Sequence, residues 1–82
     1  MPTILTIQGM RVTIYPADHR PAHVHVIGRG CEAVFKLNCP FGPPQLRENQ
    51  GFSRKELSTI ATAVLDALTP LCTAWSRLHG DF

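Results

Sequence analysis

Apolar residues follow two rhythms along this chain. In the first half they alternate with polar ones, the two-residue period of half-buried strands; in the second they recur every three or four positions, the period of a helix. Thr3 to Ile7 is a short apolar strand candidate, and Gln8-Gly9-Met10 reads as a tight turn. Arg11 to Tyr15 alternates, with Val12 and Ile14 on one face and Arg11, Thr13 and Tyr15 on the other, which predicts a hairpin. A loop over Pro16 to Pro21 leads to a third strand, Ala22 to Ile27. The turn Gly28-Arg29-Gly30 separates it from a fourth, Cys31 to Leu37. There Ala33, Phe35 and Leu37 share one face, and Glu32, Val34 and Lys36 the other. The proline-rich stretch Asn38 to Pro44 is excluded from central sheet, because proline lacks a ladder donor. Gln45 to Asn49 is a candidate fifth strand.

The helical half starts with a recognisable cap. Ser53 and Glu56 form S-x-x-E, in which each side chain satisfies a backbone N–H that a helix start leaves open. Phe52 before the cap and Leu57 at the fourth helical position form a hydrophobic staple. Leu57, Ala61, Val64, Leu68, Leu71, Trp75 and Leu78 then draw one apolar stripe. Pro70 interrupts it, since an interior proline removes a hydrogen bond. Two readings compete: Thr69 caps a second helix with Pro70 at its first position, or one helix continues with a kink. The stripe keeps phase across Pro70, which favours the kinked helix. Gly80 ends it, with His79 in the last turn facing the negative end of the dipole.

These elements predict an α+β fold of one domain spanning residues 1–82. A four- to five-stranded, mostly antiparallel sheet (1–50) packs one face on one long C-terminal helix (51–80), kinked at Pro70, in a two-layer sandwich. The other sheet face is left without a helix to cover it.

Composition narrows the classes little. A hydrophobic fraction of 44% with 17% charged residues suits a globular chain rather than a disordered one. A net charge of +2 permits contact with a polyanion without arguing for one. No apolar run approaches the ~20 residues of a membrane span, and no signal peptide is evident. The three cysteines, Cys31, Cys39 and Cys72, are an odd number without a CxxC. Each reads as a free buried thiol, and the chain as cytoplasmic.

The chemistry concentrates in Asp18 to Val26, DHRPAHVHV, which holds three of the four histidines. His23 and His25 are two apart on a strand and share a side. Val24 and Val26 suit the core, so the histidines go to the open face. Arg11, Tyr15 and Lys36 join them there if neighbouring strands pair in order, with Asp18, His19 and Arg20 at the rim. Four readings stay open. A solvated sheet face needs no purpose. H-x-H, with His19 or Asp18 as a third ligand, allows metal binding, but the motif is weak and Arg20 adds positive charge. Imidazoles that exchange protons, with Arg or Lys to hold phosphate, suit RNA cleavage through the 2′-OH without metal. An open face with Tyr15 and Arg11 also suits a protein interface.

The stretches MPTI, RVTIYPADHRPAHVHV, EAVFKL, GFSRKEL and AWSRLHG resemble the bacterial family called domain of unknown function 4160 over essentially the whole chain. The family motif falls on Asp18, His19, Pro21, His23, Val24, His25 and Val26, with Ala33, Lys36, Gly51, Phe52 and Trp75 further on. The chain departs from the pattern in Thr69-Pro70 and in the proline-rich Asn38 to Pro44. The resemblance implies a bacterial cytosolic toxin of a type II toxin–antitoxin pair, neutralised by direct contact with an antitoxin of the domain of unknown function 2442 type.

The leading expectation joins both lines: a toxin acting on RNA as a metal-independent ribonuclease, without cofactor. His23 or His25 is general acid or base, with His19 beside them. Asp18 orients a histidine, Arg20 and Lys36 bind phosphate, and Arg11 and Tyr15 complete the binding face. The alternative is a non-enzymatic protein-binding module, an antitoxin or accessory component. The apolar end at Trp75 and Leu78 suggests a homodimer. No membrane partner is expected.

Overall fold

The computed structural model describes residues 3–82; Met1 and Pro2, part of the MPTI opening, lie outside the described residues. Five strands come first: β1 (Thr3–Ile7), β2 (Met10–Thr13), β3 (His23–Gly28), β4 (Cys31–Lys36) and β5 (Gln45–Gln50). Two helices follow, α1 (Arg54–Asp66) and α2 (Leu68–His79). The strands form one antiparallel sheet in chain order. The architecture is α+β, as the alternating and then helical patterns predict.

Two short turns fix the register. Gln8 and Gly9 have φ of 49° and 81°, and Arg29 and Gly30 have 55° and 74°. Left-handed conformations at both central residues match the twist of a two-residue hairpin. The second turn pairs Gly28 with Cys31, and counting back places Val34 across from His25 and Lys36 across from His23. On the other side of β3, Thr13 stands across from His25. Partners share a face, so this arithmetic assembles the polar side of the sheet.

The opposite side is the core. Val12, Val24, Val26, Ala33 and Phe35 meet Ile60 and Val64 of α1 and Leu71 and Trp75 of α2 in one buried cluster. The edge strand β5 differs: all six of its residues are exposed. Its register shifts between Val34 and Phe35, which pair with Glu48 and Leu46 and leave Arg47 as the extra residue of a bulge. A bulge and charges on an edge discourage open-ended strand pairing.

The single kinked helix is corrected to two. The chain bends by 72° between α1 and α2. The break falls at Ala67, which ends α1 and begins α2, and Pro70 occupies the third position of α2. A proline ring clashes with the carbonyl four residues back, here that of Asp66, and bending at Ala67 relieves that contact. Hydrogen bonds resume with Leu71 N donating to Ala67 O at 3.0 Å. Pro70 thus lies in a first turn, where its missing donor has no intrahelical acceptor to lose. The apolar stripe kept phase because the break spans one residue; Leu68, Leu71 and Trp75 are buried, whereas Leu78 is 43% exposed. Trp75 therefore belongs to the core and offers no surface for a dimer. Among the described residues, no single helix is long and apolar enough to cross a membrane.

The expectation of three free thiols is also corrected. Cys39, in the proline-rich loop, and Cys72 of α2 form a disulfide with Cα atoms 5.8 Å apart. Cys31 alone is free, and half-buried. Spacing along the chain does not report that the loop returns to α2, and a pair becomes bridgeable only within about 7 Å.

The capping box forms as predicted. Ser53 Oγ accepts from Glu56 N at 3.1 Å, and Glu56 Oε1 accepts from Ser53 N at 2.9 Å. Ser53's backbone N–H, then its hydroxyl, hold the Glu56 carboxyl below its usual range, with the Arg29 guanidinium adding to this. A lowered carboxyl pKa stabilises the fold above the ordinary glutamate value, and the benefit is lost as pH falls through the lower, folded value. Ser53→Ala is expected to lower stability by about 1 kcal/mol in urea denaturation and to flatten the acid limb of the stability curve only in part, because the backbone N–H at position 53 remains.

Candidate functional site

Asp18 comes to the histidines through a local hydrogen-bond pair. Asp18 N donates to Tyr15 O at 3.0 Å, and Tyr15 N donates to Asp18 Oδ2 at 2.9 Å. The turn folds the carboxylate back over β3 and leaves Oδ1 free. Oδ1 lies 3.3 Å from His25 Nε2 and 3.5 Å from His23 Nε2.

The other nitrogen of each ring is also held. His23 Nδ1 lies 2.9 Å from Pro21 O, and His25 Nδ1 lies 3.1 Å from Glu32 Oε2. A carbonyl and a carboxylate only accept, so each Nδ1 carries the proton that it donates. Both Nε2 atoms then face Asp18. Tyr15 packs edge-on against His25 with ring centroids 4.8 Å apart, and the two imidazoles stand 5.3 Å apart.

This arrangement is more enclosed than an open polar face. The Asp18 and His23 side chains are 13% exposed and that of His25 is 16%. Tyr15 covers one side, and Trp75 of α2 reaches the other with its ring 5.2 Å from His23. The residues after α2 close the same corner: Trp75 Nε1 donates to Asp81 O at 2.7 Å, and Ala22 N donates to Phe82 O at 3.0 Å.

The predicted site residues divide. Asp18, His23 and His25 meet, with Tyr15 against them. Lys36 stands across from His23, and Arg11 is exposed on β2, two positions from Thr13 on the same face. Arg20 leans on Asp81 at 3.8 Å, with two-thirds of its side chain exposed. His19 is exposed, and no hydrogen bond or ion pair joins it to the cluster among the described residues.

Three participants were not predicted as site residues. Glu32 was legible, because the Gly28–Cys31 turn places it diagonal to His25 on the same face. Thr13 was assigned to this face, but its complete burial was not evident; its Oγ1 has no hydrogen-bond partner among the described residues. His79, whose ring lies 4.2 Å from that of Trp75 and whose Nε2 lies 3.1 Å from Tyr15 O, left no local signal. The larger surface depressions lie elsewhere, between β1 and α2 and between β5 and α1.

The model of the family described as a domain of unknown function, DUF4160, matches residues 9–76. The chain belongs to this family. The matched span includes Asp18, His23, His25 and Glu32, whereas His79 and Asp81, which close the corner of the DUF4160 cluster, lie beyond it. Comparison with curated proteins and with solved structures gives no match.

Proposed function

We propose that this DUF4160 chain is the toxin of a bacterial type II toxin–antitoxin pair and acts on RNA at the Asp18/His23/His25 cluster. The supporting observation is the convergence of Asp18 Oδ1 on both Nε2 atoms, with Lys36 across from His23 on the same face. RNA carries its own nucleophile. When the cluster takes the 2′-OH proton, that oxygen attacks the adjacent phosphorus and the 5′-oxygen leaves and is reprotonated, giving a 2′,3′-cyclic phosphate and a free 5′-OH. In this reading Lys36, across from His23, holds a phosphate oxygen, and Arg11, across from Ile27, and Arg20 at the rim meet the strand farther out. The partner, in this reading, is an antitoxin of the domain of unknown function 2442 type that covers this face.

Induced expression in bacteria tests the reading. Wild type is expected to arrest growth, and the neighbouring gene to relieve it. A His23→Ala/His25→Ala double variant, shown to be folded by circular dichroism, is expected to grow like the empty vector. RNA from arrested cells is expected to carry 2′,3′-cyclic phosphate ends. Equal arrest by both proteins, or none by wild type, would sink the proposal.

The second reading is a binding module without chemistry, favoured by β5. Its six residues are exposed on an outer strand, and Leu46 there is 46% exposed. Side chains on such a strand can contact a partner protein, while the bulge at Arg47 discourages an added strand. In that case Leu46→Ala weakens a complex in a pull-down, and alanine at the histidines changes no RNA.

A further inference from the structure

Three acceptor atoms face one another at the cluster. With each Nδ1 donating to its acceptor, neutral His23 and His25 both present a lone pair at Nε2, and Asp18 presents a carboxylate oxygen. One potential ligand atom from each of Asp18, His23 and His25 lies within 4.8 Å of the others. Such a group repels itself unless positive charge sits among its members. At 3.3 and 3.5 Å the imidazoles are within ion-pair range of Asp18 Oδ1 but outside the ~2.7–2.9 Å of a charge-assisted hydrogen bond.

A metal ion accounts for the two distances from Asp18 Oδ1. Bonds of ~2.0–2.1 Å in a tetrahedral site give ligand-to-ligand edges of about 3.3 Å. Magnesium, at similar bond lengths but octahedral, would give edges near ~2.9 Å and prefers oxygen ligands.

We infer that Asp18 Oδ1, His23 Nε2 and His25 Nε2 form a binding site for a divalent transition metal of the zinc class, with a fourth position open to water. Two further observations support it. Every ligand is oriented through its other polar atom: His23 by Pro21 O, His25 by Glu32 and Asp18 by Tyr15 N. Carbonyl and carboxylate groups that fix the rings of histidine ligands, here Pro21 O and Glu32, are the usual outer shell of metal sites. Thr13, fully buried directly across from His25, also has a hydroxyl without a partner among the described residues. A water on the open position is of the right kind to satisfy it. The charges balance as well, since a dication is matched by Asp18 and Glu32.

The inference deepens the reading of this cluster as the toxin's centre: a metal-bound water ionises near neutral pH, so the proton acceptor becomes a metal hydroxide rather than a free imidazole. Metal binding is measured independently of toxicity. Protein stripped with chelator and titrated with zinc chloride in a calorimeter is expected to bind about one equivalent. Cobalt(II) is expected to give the intense visible absorption of a tetrahedral ion. Asp18→Asn and His25→Ala are expected to weaken zinc binding by about 100-fold or more, and Glu32→Gln by about 10–100-fold. His19→Ala, outside the cluster, is expected to leave it unchanged. Glu32→Gln keeps size and shape, so it decides the matter if the ligand variants fail to fold. Binding below a tenth of an equivalent, or binding that survives both Glu32→Gln and His25→Ala, overturns the site. Zinc bound without growth arrest supports the site and removes the toxin; arrest without metal does the reverse.

Discussion

Trp75→Ala is expected to remove about 3–5 kcal/mol of stability, the range for deleting a buried tryptophan. In a domain this small, that consumes much of a margin of about 5–15 kcal/mol and lowers Tm by on the order of 15–30 °C. The side chain is fully buried within the cluster of sheet and helix residues. It also contacts the histidine site through His23 and fastens the following segment through the 2.7 Å bond to Asp81 O. Its loss leaves a cavity, removes that hydrogen bond and opens one wall of the site. Circular dichroism in urea is the measurement, because Trp75 is the sole tryptophan and its fluorescence goes with it. Trp75→Phe keeps most of the ring and loses the N–H, so it should fall well short of the alanine variant. A loss below about 1 kcal/mol for alanine would mean that Trp75 is not the junction between core and site.

Reducing the Cys39–Cys72 bond is the second large change. It joins residues 33 apart, and opening such a loop costs about 2–4 kcal/mol, largely by freeing the unfolded chain. Denaturation with and without dithiothreitol should shift by that amount in wild type and not at all in Cys72→Ala, which begins at the lower value. A thiol assay on denatured protein should count one reactive group before reduction, Cys31, and three after it. Three before reduction would show that the bond does not form. In a strongly reducing compartment the bond would open, and the loop carrying Cys39 would be held to α2 by packing alone.

The sheet was legible because its evidence is local. Alternation assigned Val24 and Val26 to one side and His23 and His25 to the other, and two glycine turns set the pairing of their neighbours. The capping box was legible for the same reason: Ser53 and Glu56 are three residues apart, and both halves of the bond follow from helix geometry. The break at Ala67 was misplaced because phase along a stripe measures rotation about an axis and is insensitive to a bend of that axis. Pro70 marked the trouble, but the carbonyl it displaces lies four residues earlier.

The site divides along the same line. The sequence by itself determined that His23 and His25 share a face, that Lys36 stands near them, and that Asp18 and Pro21 flank the entry to their strand; these follow from the two-residue period and from chain adjacency. Tertiary structure alone decided that Asp18 Oδ1 reaches both rings while His19 does not, that Thr13 is sealed with a hydroxyl unpaired among the described residues, and that the Trp75 ring packs against His23. The physical reason is range. Periodicity and turn chemistry act over a few residues, whereas burial and convergence depend on how a loop folds back and where a helix bends, and those are settled by packing between segments far apart in the chain.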